Sequence, residues 1–299
     1  MILRSLAIGD FTSYCSEYLF GVNQAMTMMG HFHLQIDYRN EIGVMDTKIK
    51  QVNPHIIWFH GVPTKNDFKK TQMFLDLGER WKSRGAKVVI HDGDVSPNVK
   101  YPNNISDSAD IVLCNHTNDR SVWGIKQLHW PYFAFVQDEI AKPCQEFVCD
   151  LAFAGKMGEE LYADRSKIVR ELKRKMGGRF KIFPTDDIPH TLYRTPELAA
   201  SAGAVIGYGR PEANGWVDVR VFQYPGAGGV LIHDDVKGFL EPYVHYIPYK
   251  SGSVDSIIEA VEISKEKGGK IRMEGFRYVQ QNHSAINRVS QVLKEVGLG

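Results

Sequence analysis

The sequence predicts an α/β protein of two Rossmann-like halves in tandem, closed by a helical tail. Three observations carry that expectation. The chain has 299 residues, more than one growing core comfortably fills. Short apolar runs alternate with stretches of helical periodicity. The alternation breaks off near the middle and then starts again.

In chain order, Leu3 to Ile8 read as a first buried strand ending in Gly9-Asp10. Tyr18, Leu19, Val22, Ala25, Met26 and Met29 then recur at helical spacing up to a stop at Gly30. His55 to His60 form the next strand, followed by a helix through Phe74, Leu77 and Trp81 and by strands at Lys87 to Ile90 and Asp110 to Cys114. Strands alternating with helices imply a parallel sheet covered on both faces. Phe135 to Val148, with Asp138, Glu139, Lys142 and Pro143, read as a linker. The second cycle begins with a strand at Asp150 to Ala154 and a loop opened by Gly155. A helix is marked by Ile168, Val169, Leu172 and Met176, and a strand by Phe180 to Phe183. Thr195-Pro196 supplies the N-cap and first-turn proline of a helix. Strands at Ala204 to Tyr208, Val230 to Ile232 and Val244 to Ile247 follow, then a helix capped by Ser253. Two last helices, Lys270 to Gln281 and Ala285 to Val296, flank Asn282-His283-Ser284. The expected domains are 1–140, 150–282 and a tail, 283–299, that packs back on the first half.

Composition is that of a folded soluble chain, with 43% hydrophobic and 24% charged residues. The formal charge is +1, so the chain as a whole has no electrostatic commitment to nucleic acid or membrane, and any basic binding surface is local. No apolar run reaches the roughly 20 residues that cross a bilayer, and the start lacks an export signal. A cytoplasmic location without a membrane span is expected. Cys15, Cys114, Cys144 and Cys149 show no metal or redox spacing and read as reduced thiols.

The most specific segment is Val219 to Ile232. Arg220 and Gln223 lie three apart, on one face of a helical turn, with Tyr224 beside them and Gly226, Gly228 and Gly229 following before a strand. Arginine's planar fork suits a diphosphate, and glycines let phosphate or ribose approach the main chain. The alternative is a tight helix-to-strand turn with a surface arginine. No P-loop, dinucleotide fingerprint, zinc-protease or hydrolase motif is present, which disfavours those classes.

Arg220 to Gly229, continuing to Asp235, resembles the donor-binding segment of GT-B glycosyltransferases of the CgeB-like, group 1 type, whose pattern is approximately R-V-F-E-x-x-A/P-x-G-G. His283 to Arg288 is similar to that group's late H-T/S-x-x-x-R motif, and Phe153 to Gly155 with Arg165 resembles the opening of its carboxyl-terminal domain. The resemblance covers about half the chain and implies the GT-B fold and transfer of a sugar from a nucleotide diphosphate, UDP first, to a hydroxyl. It implies no obligatory cofactor or metal. Gln223 stands where the family usually has a glutamate resembling a ribose ligand, so donor affinity or identity departs there. The donor set expected is Arg220, Gln223, Tyr224, Gly226, Gly228, Gly155, Lys156 and Arg210; ordinary loop charge is the competing reading of Lys156 and Arg210.

In the first half, Asp10, His60, Asp92 and Asp94 fall where strands should end, the ligand-facing positions of a doubly wound sheet. His60 resembles the histidine that many GT-B enzymes place near the transferred sugar. Asp94 or Asp10 serves as base if the reaction inverts; for each of these residues the favoured alternative is a loop-capping aspartate or a structural histidine. The basic stretch Arg165 to Lys175 is either the solvated back of a helix or a phosphate contact. Phage enzymes of GT-B architecture that glycosylate 5-hydroxymethylated pyrimidines in DNA keep a DNA acceptor open, with Trp123, Trp130 and Tyr132 as stacking groups or as core. A non-catalytic nucleotide-sugar binding module is the third alternative.

Overall fold

A computed structural model describes residues 1–9, 17–41, 44–60, 68–92, 105–115, 125–155, 157, 163–183, 194–208, 217–234, 236 and 238–299. Within them the chain forms two units, one of Met1–Tyr132 with Ala285–Gly299 and one lying between Phe133 and Ser284.

The first unit is built on β1 (Arg4–Gly9), β2 (Phe32–Asp37), β3 (Ile56–His60), β4 (Lys87–Asp92), β5 (Ile111–Cys114) and β6 (Lys126–His129). They pair in the order β2-β1-β3-β4-β5-β6, every pair parallel. β1, β3 and β5 are buried almost throughout, which is why they read as unbroken apolar runs. The edge strands β2 and β6 are only half-buried, and their mixed sequences Phe-His-Leu-Gln-Ile-Asp and Lys-Gln-Leu-His carry too little periodicity to be read in advance. The helices are α1 (Glu17–Met28), α2 (Tyr38–Glu41), α3 (Met45–Val52), α4 (Phe68–Lys82) and α5 (Ile105–Ser108). Phe74, Leu77 and Trp81 of α4 join Ile8, Phe59, Ile90 and Val112 in one core. Gly30 ends α1's segment at φ +75°, a conformation that glycine adopts without strain.

The second unit holds β7 (Cys149–Ala154), β8 (Phe180–Phe183), β9 (Ala202–Ile206), β10 (Leu231–His233) and β11 (Ile247–Pro248), in the parallel order β11-β10-β9-β7-β8. Its helices are α6 (Ala163–Met176), α7 (Thr195–Ser201), α8 (Arg220–Gly226) and α9 (Val254–Asn282). Both sheets therefore set their first strand between their second and third. A topological switch point lies beside β1 and β3 in one, beside β7 and β9 in the other, and such points are where doubly wound sheets receive ligands.

Two local expectations change, at the start of α7 and along α9. Arg194, not Thr195, occupies the N-cap of α7, with Thr195 and Pro196 in its first turn. The linker segment has no regular structure beyond a 3₁₀ turn at Gln145–Phe147. Gln280 fastens it: its Nε2 donates to the carbonyls of Phe135 (2.8 Å) and Gly226 (2.7 Å), and its Oε1 accepts from the Gln137 amide at 3.3 Å. The helix capped by Ser253, whose hydroxyl accepts from the Ser256 amide at 3.2 Å, runs unbroken through Gly268-Gly269 to Asn282. These glycines are not a break, because a Cβ on Gly268 would lie 3.4 Å from Val230 and one on Gly275 2.9 Å from the His245 carbonyl; their bareness lets α9 sit close to its unit. Finally α10 (Ala285–Glu295) packs on α1 in the first unit. Among the described residues no helix is long and apolar enough to cross a membrane.

Candidate functional site

In the second unit the carboxyl ends of β7, β9 and β10 bring Ala154-Gly155, Gly207-Tyr208 and His233-Asp234 to one edge of the sheet. The amino end of α8 adds Asp218 and Arg220. Arg220 donates from Nε and one Nη to the Ala154 carbonyl (3.0 and 2.7 Å) and from the other Nη to both oxygens of Asp218 (3.0 and 3.2 Å). Its backbone amide also donates to Asp218 at 3.0 Å, and Tyr224 accepts from its guanidinium. Burial works against the arginine's charge, but Asp218 and Tyr224 overcome it and hold its pKa above the usual guanidinium value. Burial likewise opposes ionisation of Asp218, and Arg220 and His233 prevail, holding that carboxyl below the usual range. His233 is fully buried, with Nδ1 3.3 Å from Asp234 and Nε2 4.0 Å from Asp218. Gly207 makes room for it, since a Cβ there would meet His233 at 2.4 Å. Arg165, from the first turns of α6, places its guanidinium 5.8 Å from the centre of the Phe153 ring and acts electrostatically on Asp218 and Tyr208.

The structure therefore gathers Arg220, Tyr224 and Gly155, and a Cβ on Gly155 would lie 2.7 Å from the Arg220 guanidinium. It also changes the expected role of Arg220. With five donors in all, the fork is engaged mainly by Ala154, Asp218 and Tyr224, so it braces the edge from within. Gly226 and Gly228 are not brought to this group. α8 runs back along the sheet, so its far end and the following turn lie at the amino edge of β10, about 9 Å of helix from Arg220. There a Cβ on Gly226 would meet Ala134 at 2.3 Å and one on Gly228 would meet Ile140 at 2.5 Å; both glycines serve packing. Gln223 lines a cavity of about 10 Å³ with Thr195, Pro196, Gly226, Phe135 and Gln137, space for about one water. Lys156 and Arg210 lie outside the described residues.

In the first unit His60 ends β3 at the switch point, where a Cβ on Gly9 would be 3.2 Å from its own Cβ. His60 pairs in register with His91 of β4, and their Nδ1 atoms are 3.0 Å apart. With both rings neutral, one Nδ1 donates and the other accepts. Tyr18 stacks on His91 at 3.8 Å and 8°, and Trp130 stands edge-on to both at 5.2 and 5.8 Å. Burial, then His60, push the His91 pKa well below the imidazole norm. Trp130 is fully buried and its Nε1 donates to the Arg288 carbonyl at 3.1 Å, so it is a core residue and not a stacking platform. Asp10, Asp94 and Trp123 lie outside the described residues, as do the side chain of Asp92 and Asp235. His283 packs its ring on Phe222 at 4.8 Å in the second unit, while Arg288 belongs to the first, its pKa lowered by burial to about 10; the late motif spans the junction.

The sequence reading missed Asp218, His233, Tyr208 and His91. The rule that selects Asp10 and His60 at strand ends selects His233 and Tyr208 as well when applied to the second half.

Residues 165–294 match a family described as glycosyl transferase-like. A solved structure of an alpha-glucosyltransferase in complex with UDP-glucose and DNA containing an abasic site superposes with a TM-score of 0.69, at 9% identity, over 98% of this chain and 98% of that one. The chain has the GT-B fold. A lipopolysaccharide outer core galactosyltransferase in its apo form is similar at TM-score 0.50, 9% identity and 98% and 99% coverage. So is a putative UDP-N-acetylglucosamine 2-epimerase from Listeria monocytogenes, at 0.52, 10% identity and 99% and 96% coverage. At such identities the likeness is one of fold, and the epimerase shows that this fold alone does not select a reaction. No curated protein matches the chain.

Proposed function

We propose that the chain transfers a sugar from a UDP-sugar to a hydroxyl acceptor, with the donor held at the carboxyl edge of the second sheet. The observation that carries this reading is the convergence of Arg165, Tyr208 and the Arg220–Asp218 brace beside Gly155 at the β7–β9 switch point, with Arg165, Tyr208, Asp218 and Arg220 all inside the region that matches glycosyl transferases. The positive charge that Arg165 and Arg220 bring to this edge suits a diphosphate. Lys156 and Arg210, adjacent in sequence to Gly155 and near Tyr208, are assigned to the same group, and Gln223 to the ribose side.

In the reaction the acceptor oxygen bonds to the anomeric carbon as that carbon's bond to the diphosphate breaks, and UDP leaves. His60 is assigned a place beside the transferred sugar, and Asp10 or Asp94 takes the hydroxyl proton if the outcome is inverting. A second reading narrows the acceptor to 5-hydroxymethylated pyrimidines in DNA. It is favoured by the similarity to the alpha-glucosyltransferase bound to DNA, also at TM-score 0.64 with a 13-mer containing an A:G mismatch, and by the exposed basic face of α6, Lys167, Arg170 and Arg174.

Calorimetry with a panel of UDP-sugars, followed by mass spectrometry of hydroxymethylated DNA, tests both. A mass gain of one sugar, undiminished by EDTA, is expected of a metal-independent transferase. Binding without transfer to DNA or water points to a non-catalytic module, and no binding across the panel ends the donor-site reading.

A further inference from the structure

Tyr208 is out of balance with its surroundings. It follows β9 directly, and its ring is held edge-on by Phe153 (centroids 5.7 Å, 74°) and Tyr249 (6.3 Å, 77°). The ring is thus well packed and its orientation set. Its hydroxyl is buried and has no hydrogen-bond partner among the described residues. The hydroxyl of Tyr249, close by, donates to the Gly207 carbonyl at 3.2 Å. A buried hydroxyl with no partner is a standing cost, and phenylalanine would keep every ring contact without it. Stability therefore gives no reason for the oxygen.

The charges acting on this hydroxyl point to what it awaits. Burial raises its pKa, with Asp234 adding to the effect and Arg165 and Arg220 opposing, so the group is a neutral donor in need of an acceptor. Two guanidinium groups beside it favour an anionic acceptor. Diphosphate oxygens, each offering several lone pairs, fit that combination, whereas an uncharged sugar hydroxyl would leave the positive field unused.

We propose that the Tyr208 hydroxyl donates a hydrogen bond to the diphosphate of the bound nucleotide sugar and keeps that bond as the diphosphate leaves. The inference rests on reading this edge as the donor site. The proton stays on Tyr208 throughout. Negative charge grows on the departing oxygens as the bond to the sugar breaks, so the hydrogen bond strengthens along the reaction.

Tyr208→Phe tests this through three measurements on the full chain. Calorimetry with UDP should show affinity reduced about tenfold or more, the range for a hydrogen bond to a charged group. Affinity for uridine, which lacks phosphates, should be unchanged. The melting temperature without ligand should stay level or rise, while Tyr249→Phe, which removes a hydroxyl that has a partner, should lower it. Wild-type UDP affinity in Tyr208→Phe overturns the inference, and equal losses for UDP and uridine overturn its diphosphate assignment. A lower melting temperature in Tyr208→Phe would mean that the hydroxyl has an internal partner, which also overturns it. Wild-type protein that binds neither UDP nor uridine overturns the donor-site reading itself, and this inference with it.

Discussion

The carboxyl edges of the two sheets share a topology and differ in chemistry. At the β7–β9 switch point the second unit buries opposite charges against one another, Arg220 on Asp218 with His233 and Asp234 behind them. At the β1–β3 switch point the first unit stacks Tyr18, His91 and His60 under Trp130, with one nitrogen-to-nitrogen contact among them. A buried ion pair is held by the presence of both partners, because each charge loses its hydration and depends on the other. A stack of neutral rings depends chiefly on shape and tolerates substitution by another ring. On the proposed reading the charged edge meets a charged diphosphate, and the neutral edge meets sugar hydroxyls.

The largest consequence should come from breaking the ion pair. Asp218 is 2% exposed and Arg220 17%, so Asp218→Asn leaves a guanidinium without its counter-charge and should cost about 3–5 kcal/mol. His91→Phe keeps a ring under Tyr18 but removes the Nδ1 partner of His60, and should cost about 1–3 kcal/mol. Urea unfolding of the two variants measures the contrast. Similar losses would mean that the edges are not built on different principles.

That contrast was only partly legible in the sequence. The alternation of apolar runs with helical periodicity is strong wherever strands are central, and β1, β3, β4, β5 and β7 lie within a residue or two of where they were read. It fails where burial is incomplete, as in β2 and β6. Arg220 stood out in the sequence because its planar fork beside glycines suits a diphosphate, but the groups that hold it did not. Whether a guanidinium reaches outward or turns onto the Ala154 carbonyl depends on a contact 66 residues apart in the chain. Gly226 and Gly228 are ambiguous in sequence for a related reason. A glycine that admits a ligand and one that admits Ala134 or Ile140 look alike in sequence, and only the direction of α8 separates them. His91 sits inside β4, where a polar residue in an apolar strand reads as noise until His60 is found beside it.

A smaller effect distinguishes the glycines at the two switch points. In Gly155→Ala the new methyl would stand 2.7 Å from an Arg220 nitrogen and 2.9 Å from the Phe153 ring. That guanidinium is held on two sides, so it yields only by losing hydrogen bonds. A cost of about 1–3 kcal/mol follows from overpacking, together with weaker UDP binding. In Gly9→Ala the nearest atom, at 2.2 Å, is the Leu19 Cδ1, the tip of a side chain that can rotate. The cost should fall at the lower end of the same range, with UDP affinity retained. Thermal melts and calorimetry on both variants decide it, and a Gly9→Ala loss exceeding that of Gly155→Ala would refute the assignment of the rigid edge to the second unit.

Mild acid should separate the edges most gently. Burial holds His91 below the ordinary imidazole pKa of about 6.5 in the folded chain. As pH falls below about 6.5 the unfolded chain binds a proton that folded His91 refuses, so stability declines from there down towards the folded pKa. His33, lowered by burial to about 4 and hydrogen-bonded to Ser5, acts in the same direction and in the same unit. Asp218 works in a different window. Its folded pKa lies below the carboxylate norm, so its contribution is complete above about pH 3.9 and is lost only as pH falls beneath that. His245 in the second unit is also lowered by burial, but Glu241 and Glu274 oppose the shift, and its share is small. Between pH 7 and pH 5 the fall in melting temperature should therefore come mainly from the first unit. His91→Phe removes part of it, and each kcal/mol corresponds to about 2–4 °C for units of this size. The variant's melting temperature should decline less steeply than the wild type's over that interval. Parallel declines would show that His91 takes up its proton as readily folded as unfolded, and that the first edge is not the neutral one.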